Sequence, residues 1–561
     1  MKLKIDKKDI LIMTVLFVLY AIVAIINLGD KKVPETEYTP EKVGESFILQ
    51  FPRKHAINRI NYYSGLGFTR EVELDMSIKY RDANNNFVPL TSGGESCKIE
   101  KKFGECFILN SIDFDVVGTD ALKFEVTKVG GTINEISVYK VRSKTPIEGI
   151  KLVDATNENA KYLIDESDVM QCYRTHKNST YFDEIYHART AYEHIHNIKQ
   201  YENTHPPLGK LFIALGIKLF GMTPFGWRIV GTLFGAFMVP VMYLFGLKVF
   251  ETKFLATMCS LLMMFDCMHF TQTRIATIDV YVTFFIILMY YWMYDVYMLK
   301  DNYYKSFALS GLMFGIGVAS KWIALYASVG LFILFLLSKY KLYKKGKDLE
   351  IMKTLVYGSV FFVIIPIIIY VVSYIPVMGG EDGYMGLIDT VIGYAKHMYT
   401  YHSDTVLTAT HPFQSRWYEW QIIKRPIWYY VAMGLPGGKR STIVCLGNPA
   451  IWWTSILALI YTIVVAIKEK DRRMVPILVA FFCQYAPWML VKRVTFIYHF
   501  FSMLPFAIIM VVYMFRKRTK LIYPYMAVVM ILFIVFYPAI SGIPVTENYI
   551  DKLKWFKSWV F

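Results

Sequence analysis

Charge is scarce in this chain: only 19% of its 561 residues are Asp, Glu, Lys or Arg, while 55% are hydrophobic. A soluble protein of this length averages about a quarter charged, so the deficit argues against a soluble fold. Acidic residues are scarcer than basic ones, 45 against 61, giving a net charge of +16. That excess could suggest nucleic acid, but the lysines and arginines cluster in short loops between apolar blocks, the placement of a membrane protein. Nucleic-acid binding is excluded on that ground. Cysteine is sparse, at 97, 106, 172, 259, 267, 445 and 483. Cys259, Cys267 and Cys483 lie in or beside apolar runs, where the residue packs as a small hydrophobe. Cys97 and Cys106 can close a small loop, but spacing alone leaves a disulfide open. No internal repeat or low-complexity segment is visible. His187, His194, His196 and His205 lie near carboxylates, yet the His-Glu-x-x-His spacing of a dedicated metal site is missing, so no metal is expected.

What the chain does contain is a series of apolar blocks of about 17–25 residues, the length that crosses roughly 30 Å of hydrocarbon. They predict eleven spans, near 10–28, 226–249, 254–271, 280–299, 305–320, 322–338, 353–375, 449–467, 474–490, 494–514 and 521–540. The first follows a lysine-rich start and lacks a small-residue cleavage motif, since Asn27-Leu28-Gly29-Asp30 is a poor one. It therefore reads as a spanning helix. Placing that start in the cytoplasm makes every other cytoplasmic loop basic, from Lys248 and Lys253 to Arg516, Lys517, Arg518 and Lys520. The expected protein is multi-pass in the plasma membrane, with its C-terminal tail, 541–561, outside.

Two long segments then fall on the external face, 29–225 and 376–448. Within the first, residues 40–142 read as a β domain. Alternating runs such as Phe47–Phe51, Val72–Ile78 and Leu122–Val126 are separated by Gly, Asn and Asp turns. The run Gly130–Tyr139 resembles the last strand of discoidin-like jelly rolls, which implies an inserted β-sandwich. Such domains bind glycans or act as rigid caps, and both readings stay open. Residues 143–225 become helical. Pro206-Pro207 breaks the chain, and Leu208–Phe220 is an apolar helix too short to span, suited to the outer interface.

Two constellations there carry chemistry. Tyr181-Phe182-Asp183-Glu184 offers adjacent carboxylates on a short helix, and a hydroxyl attacking an anomeric carbon needs a group to take its proton. An ordinary Asp-Glu pair at a helix N-terminus would look the same. In His205-Pro206-Pro207-Leu208-Gly209-Lys210, tandem proline fixes the backbone and sets His205 and Lys210 at the start of the interfacial helix. Independently, Arg228, Arg274, Asp279, Lys321 and Arg493 all map to outward ends of spans. Charges at membrane depth are costly and face a protein interior or cavity, and arginine can hold a departing phosphate through two hydrogen bonds. Snorkelling to headgroups is the plainer explanation for any single one.

These strings resemble the protein O-mannosyltransferases, membrane enzymes that use polyprenyl-phosphate mannose. Phe182-Asp183-Glu184 and His205–Lys210 fit that family, as do Trp227–Gly235, Thr273–Asp279, Ser320-Lys321-Trp322, Gly447-Asn448-Pro449 with Trp452 and Trp453, and Arg493–Phe496 with His499. The resemblance covers about 180–540. It implies a GT-C fold: a polytopic α-helical membrane protein carrying its active site on the external side. Two departures stand out. The loop 376–448 is too short for the β-trefoil (MIR) domain of eukaryotic members, which points to a bacterial-type member, and the β insert is foreign to the usual pattern.

The resemblance implies an inverting transfer of mannose from the lipid phosphate to Ser or Thr hydroxyls of translocated proteins, without a cofactor. Asp183 is then the expected base and Glu184 its orienting neighbour. Arg228, Arg493, Lys321 and Arg274 are expected on the phosphate side, with His205, Lys210, Asp279, Asn448 and His499 at the substrate. Asp279 is expected to brace a cation rather than react. A GT-C transferase that adds another sugar to a lipid or cell-wall glycan is the alternative, although relatives of that kind tend to read Glu-Lys-Pro-Pro-Leu where this chain has His205-Pro206-Pro207-Leu208. A transporter with a glycan-binding domain would show paired halves or interrupted helices, and neither is evident.

Overall fold

The computed structural model describes residues 5–67, 72–300, 303–377 and 386–561. The chain forms two compact units, one of Leu28–Tyr201 with Ala214–Trp227 and one of Met1–Asn27, Glu202–Ile213 and Arg228–Phe561.

The first unit is built on an antiparallel sheet of seven strands, with the order Phe87–Pro89, Leu74–Arg81, Ile108–Lys128, Ser46–Ser64, Ile133–Lys140 along its main path. The two long strands pair from Ser46↔Glu125 to Ser64↔Ile108, and their register shifts between Gln50 and His55. Pro52 lies inside that interval and has no N–H to offer a ladder, so a bulge is the natural accommodation. Leu74, Met76 and Ile78 alternate with half-exposed or exposed neighbours and meet Phe47, Leu49, Leu122 and Phe124 in one core. The Phe47 and Phe124 rings stack at 5.0 Å. Cys97 and Cys106 are buried free thiols, so burial rather than cross-linking holds their segments.

The second unit is helical. Among the described residues seven helical segments are long and apolar enough to cross a membrane: Lys7–Ile25, Pro224–Phe250, Asp279–Met298, Ala324–Tyr343, Asp348–Val377, Pro449–Lys468 and Thr519–Ser541. Lys253–Met264 and Cys267–Thr273 make an eighth if counted as one span bent by 60°. The other three expected spans form Tyr303–Ser320, Val475–Tyr485 and Leu504–Phe515. Serines and glycines dilute the first. The second and third have 11 and 12 residues, about 16–18 Å of α-helix, and are flanked by 3₁₀ turns.

The bent span shows how the membrane dictates detail. A break at Phe265–Asp266 strands backbone groups that hydrocarbon cannot satisfy. Asp266 Oδ1 accepts the Met268 and His269 N–H groups at 2.9 and 3.0 Å. Its Oδ2 accepts Trp452 Nε1 at 2.9 Å and the Asn448 N–H at 3.2 Å. Asn448 Nδ2 donates to the Phe265 and Val529 carbonyls, both at 2.9 Å, while its Oδ1 caps Pro449–Lys468 through Ala450 N–H. Gly447 lies so close to the Trp452 ring that a Cβ there would overlap it. Asn448, expected at the substrate, is fully buried, and its side chain joins three helices. Asn448→Ala strands two buried carbonyls and should cost about 1–3 kcal/mol. A clear drop in thermal unfolding temperature in detergent checks this; an unchanged temperature contradicts it.

Candidate active site

The helical unit holds a cavity of about 480 Å³ whose wall includes His205, Lys321, Trp322, His402, Arg493 and His499. Among its described lining residues none is Asp or Glu, while Lys321, Lys492 and Arg493 are cationic. Such a wall suits an anion. Its described lining residues come from within 204–206, 321–326, 402–407 and 488–493, with His499. Gly209 packs against the start of Asp279–Met298 and the end of Tyr303–Ser320: a Cβ there would stand 2.8 Å from Ile278 Cγ2 and 3.2 Å from the Ser320 carbonyl oxygen. Only glycine permits that approach, which brings the His205–Lys210 string beside Lys321.

Glu202 organises the string. It accepts His205 Nδ1 and the Thr204 N–H, each at 2.9 Å, and pairs with the buried Lys210 ammonium. Lys210 also donates to the Glu202 carbonyl at 2.7 Å. Lys210, expected at the substrate, therefore holds this loop. His402 Nε2 donates to the Thr204 carbonyl at 3.0 Å, and its ring meets that of His205 edge-on at 5.5 Å. Burial lowers the pKa of His205, opposed by the Glu202 carboxylate. Burial, with the neighbouring His205 and Arg493, pushes His402 down to about 4. In both rings burial favours the neutral form, which suits hydrogen bonding.

Lys321 Nζ lies 2.8 Å from Asp279 Oδ1. Asp279 opens its helix, where a carboxylate is favoured by the macrodipole. One of the three ammonium donors is thus engaged, and the ammonium also stands on the cavity wall. Arg493 is half-buried, with a long contact of 3.4 Å to the adjacent Val494 carbonyl. His499 Nδ1 is held at the Phe496 backbone, and its ring lies 4.3 Å from Trp488. Trp488, Tyr326 and Lys492 line this cavity and were not singled out from sequence. They sit at span ends, where an aromatic belt and snorkelling cations are the ordinary reading.

Two expected phosphate ligands fare differently. Arg228 is buried in Pro224–Phe250. Arg274 donates to the carbonyls of Ala24, Ile26 and Asn27 at 2.8, 2.8 and 3.0 Å, over the Phe270 ring. These carbonyls lie at and just beyond the end of Lys7–Ile25, where helical partners run out. Arg274, expected beside a phosphate, thus ties down the end of the first helix.

The acidic pair belongs to the unit that carries the sheet. Phe182 has φ +50°, a conformation costly for a bulky residue and typical of functional turns. Asp183 follows at the N-cap of Glu184–Ile195, and its carboxylate makes no capping bond. Its carbonyl instead accepts the Tyr186 and His187 N–H groups. Glu184 is wholly buried and its Oε2 accepts the Tyr181 N–H at 3.2 Å, bracing the turn. Further along, Arg189 pairs with Glu193 at 2.8 Å and lies over the Tyr201 ring at 4.4 Å, locking the helix. Among the described residues no three His, Cys, Asp or Glu side chains converge to hold a metal ion.

Residues 221–376 match the family model described as dolichyl-phosphate-mannose-protein mannosyltransferase. Residues 388–559 match the C-terminal four-TMM region of protein-O-mannosyltransferase. The polyprenol-phosphate-mannose–protein mannosyltransferase of Mycolicibacterium smegmatis is 22% identical over 450 residues, 67% of this chain and 87% of the relative. Its counterpart in Corynebacterium glutamicum is 23% identical over 421 residues, 63% of this chain and 81% of the relative. Among solved structures, the Saccharomyces cerevisiae Pmt1–Pmt2 complex bound to the sugar donor aligns with a TM-score of 0.60 at 14% identity, covering 68% of this chain and 89% of that one. At that identity the likeness is one of fold.

The His402 shift has a pH consequence. As pH falls from about 6.5 toward 4, the unfolded chain takes up a proton that the folded chain refuses, so stability present above that window is lost within it. His402→Gln keeps a donor for the Thr204 carbonyl and removes the titration. Unfolding temperatures at pH 4.5 and 6.5 should therefore differ less in the variant than in the parent; equal differences contradict the assignment.

Proposed function

The chain belongs to the protein O-mannosyltransferase family, and on that premise we propose that it moves mannose from a polyprenyl-phosphate donor to Ser or Thr hydroxyls of proteins. The observation that carries the reading is the cationic cavity, lined by Lys321 and Arg493 and by no Asp or Glu among its described residues. In the proposed step the acceptor hydroxyl attacks the anomeric carbon as the bond to the phosphate oxygen breaks. One displacement inverts the centre, turning a β-linked donor into an α-mannoside. Negative charge grows on the departing phosphate, where preorganised cations stabilise the transition state more than the ground state. With those side chains in that role the step requires no cofactor.

Asp183 is proposed to take the hydroxyl proton. The family resemblance assigns that role, and Asp183 directly follows Phe182, whose φ of +50° marks a strained turn. Glu184 holds that turn. Arg228 is assigned to the phosphate side by the family resemblance. His205 and His499 supply hydrogen bonds on the cavity wall, and Asp279 and Lys210 keep the cations and the loop in place.

The finer arrangement belongs to the same reading. Eleven spans, a cytoplasmic start and an external site and C-terminal tail in the plasma membrane follow from the basic loops. The sheet unit is read as a discoidin-like jelly roll that contacts a glycan. Asp183→Asn should lower kcat for an acceptor peptide by about 10²–10⁴-fold with the unfolding temperature unchanged. Transfer assays with polyprenyl-phosphate mannose and mass spectrometry of the peptide check it. Undiminished transfer by the variant removes Asp183 as base. A parent protein that leaves peptides bare but modifies a surface glycan overturns the acceptor class.

A further inference from the structure

A second cavity, of about 570 Å³, adjoins the first and shares with it Trp488, Val491, Lys492 and Arg493. Its other walls come from residues 414–419 and from Val494 and Thr495. These two stretches are joined through the backbone. Ser415 N–H donates to the Thr495 carbonyl at 2.8 Å, and Thr495 Oγ1 donates to the Ser415 carbonyl at 2.6 Å. Trp420 Nε1 reaches the same Ser415 oxygen at 3.2 Å, and Tyr485 donates to the Trp417 carbonyl at 2.8 Å. The rim is therefore built, not a loose loop.

Its chemistry differs from that of the first cavity. Gln414, Ser415, Arg416, Glu419, Lys492, Arg493 and Thr495 make a polar wall that suits neither a polyprenyl chain nor an acyl chain. Glu419 is the one carboxylate among the described lining residues, and it is already engaged. Lys424 pairs with it, and its Oε2 accepts the Arg416 N–H at 2.9 Å. Arg416 and Lys492 stay exposed, so with Arg493 the cavity carries three cations against one neutralised acid. Buried Ser415 Oγ and Trp488 Nε1 make no hydrogen bond among the described residues. Tyr418, 52% exposed, adds an aromatic face at the rim.

We infer that this second cavity receives the acceptor polypeptide and favours segments bearing Asp or Glu beside the modified Ser or Thr. The inference rests on the function proposed above and adds to it a charge preference for the acceptor. One phosphate enters with the donor, and the first cavity supplies cations for it. The cations of the second, on a polar wall that opens onto the same Arg493, match a carboxylate on the incoming chain. Arg416 is the residue that reads it, being the one cation of the three outside the first cavity.

The test uses the full chain in nanodiscs with polyprenyl-phosphate mannose and three peptides identical around one Thr but flanked by Glu, Gln or Lys. The parent protein should show a KM about fivefold lower for the Glu peptide than for the Gln peptide, the size of one partly exposed ion pair, and the highest KM for the Lys peptide. Arg416→Glu should invert that order. Equal KM values in the parent, or an order that survives Arg416→Glu, overturn the inference and leave the proposed function standing. If no peptide is mannosylated, the proposed function fails and this inference with it. If the variant changes only the response to anionic lipid in the nanodisc, the cavity is a headgroup site and the inference is overturned.

Discussion

A polar group within hydrocarbon depth must find a partner inside the protein, and most of the helical unit is arranged by that requirement. The break at Phe265–Asp266 is tolerable because Asp266, Asn448 and Trp452 close a complete set of hydrogen bonds around it. The carbonyls ending the first helix are met by Arg274. The Lys321 ammonium is matched by Asp279. With those demands met locally, a cation-lined cavity can persist beside the spans, one of its cations already braced by Asp279.

The same constraint separates braces from ligands. Lys210, Arg274 and Asn448 carry polar side chains in strings that resemble the family, yet each is directed at backbone carbonyls or at a neighbouring acid. Lys321, Arg493, His205, His402 and His499 instead share a cavity wall. Of these braces, Lys210 acts on the cavity indirectly, by holding the loop that carries Thr204 and His205. Gly209 belongs with them: its lack of a side chain sets how near the His205 loop comes to Lys321.

Much of this was legible in the sequence. Apolar blocks and basic loops gave the membrane class, because hydrocarbon thickness and loop charge act on composition directly. Period-two runs located the strands around Leu74–Ile78 and Leu122–Val126, because one face of each is buried. The likeness of strings placed Lys321, Arg493 and His499 in one set. Matching strings do not reveal where a side chain's hydrogen bonds run, and those of Asn448 and Arg274 reach carbonyls far away in sequence. Nor does a string reveal backbone strain, so the positive φ of Phe182 was invisible. Trp488 and Lys492 reach the cavity through tertiary packing of a span end, which periodicity does not encode.

The account turns on where the donor phosphate rests. A structure of the full chain with polyprenyl-phosphate mannose bound measures this directly. It should place the phosphate within hydrogen-bonding reach, about 3 Å, of both Lys321 Nζ and the Arg493 guanidinium, with Lys321 still braced by Asp279. A phosphate held elsewhere, with Lys321 and Arg493 touching neither it nor the sugar, would contradict the central claim.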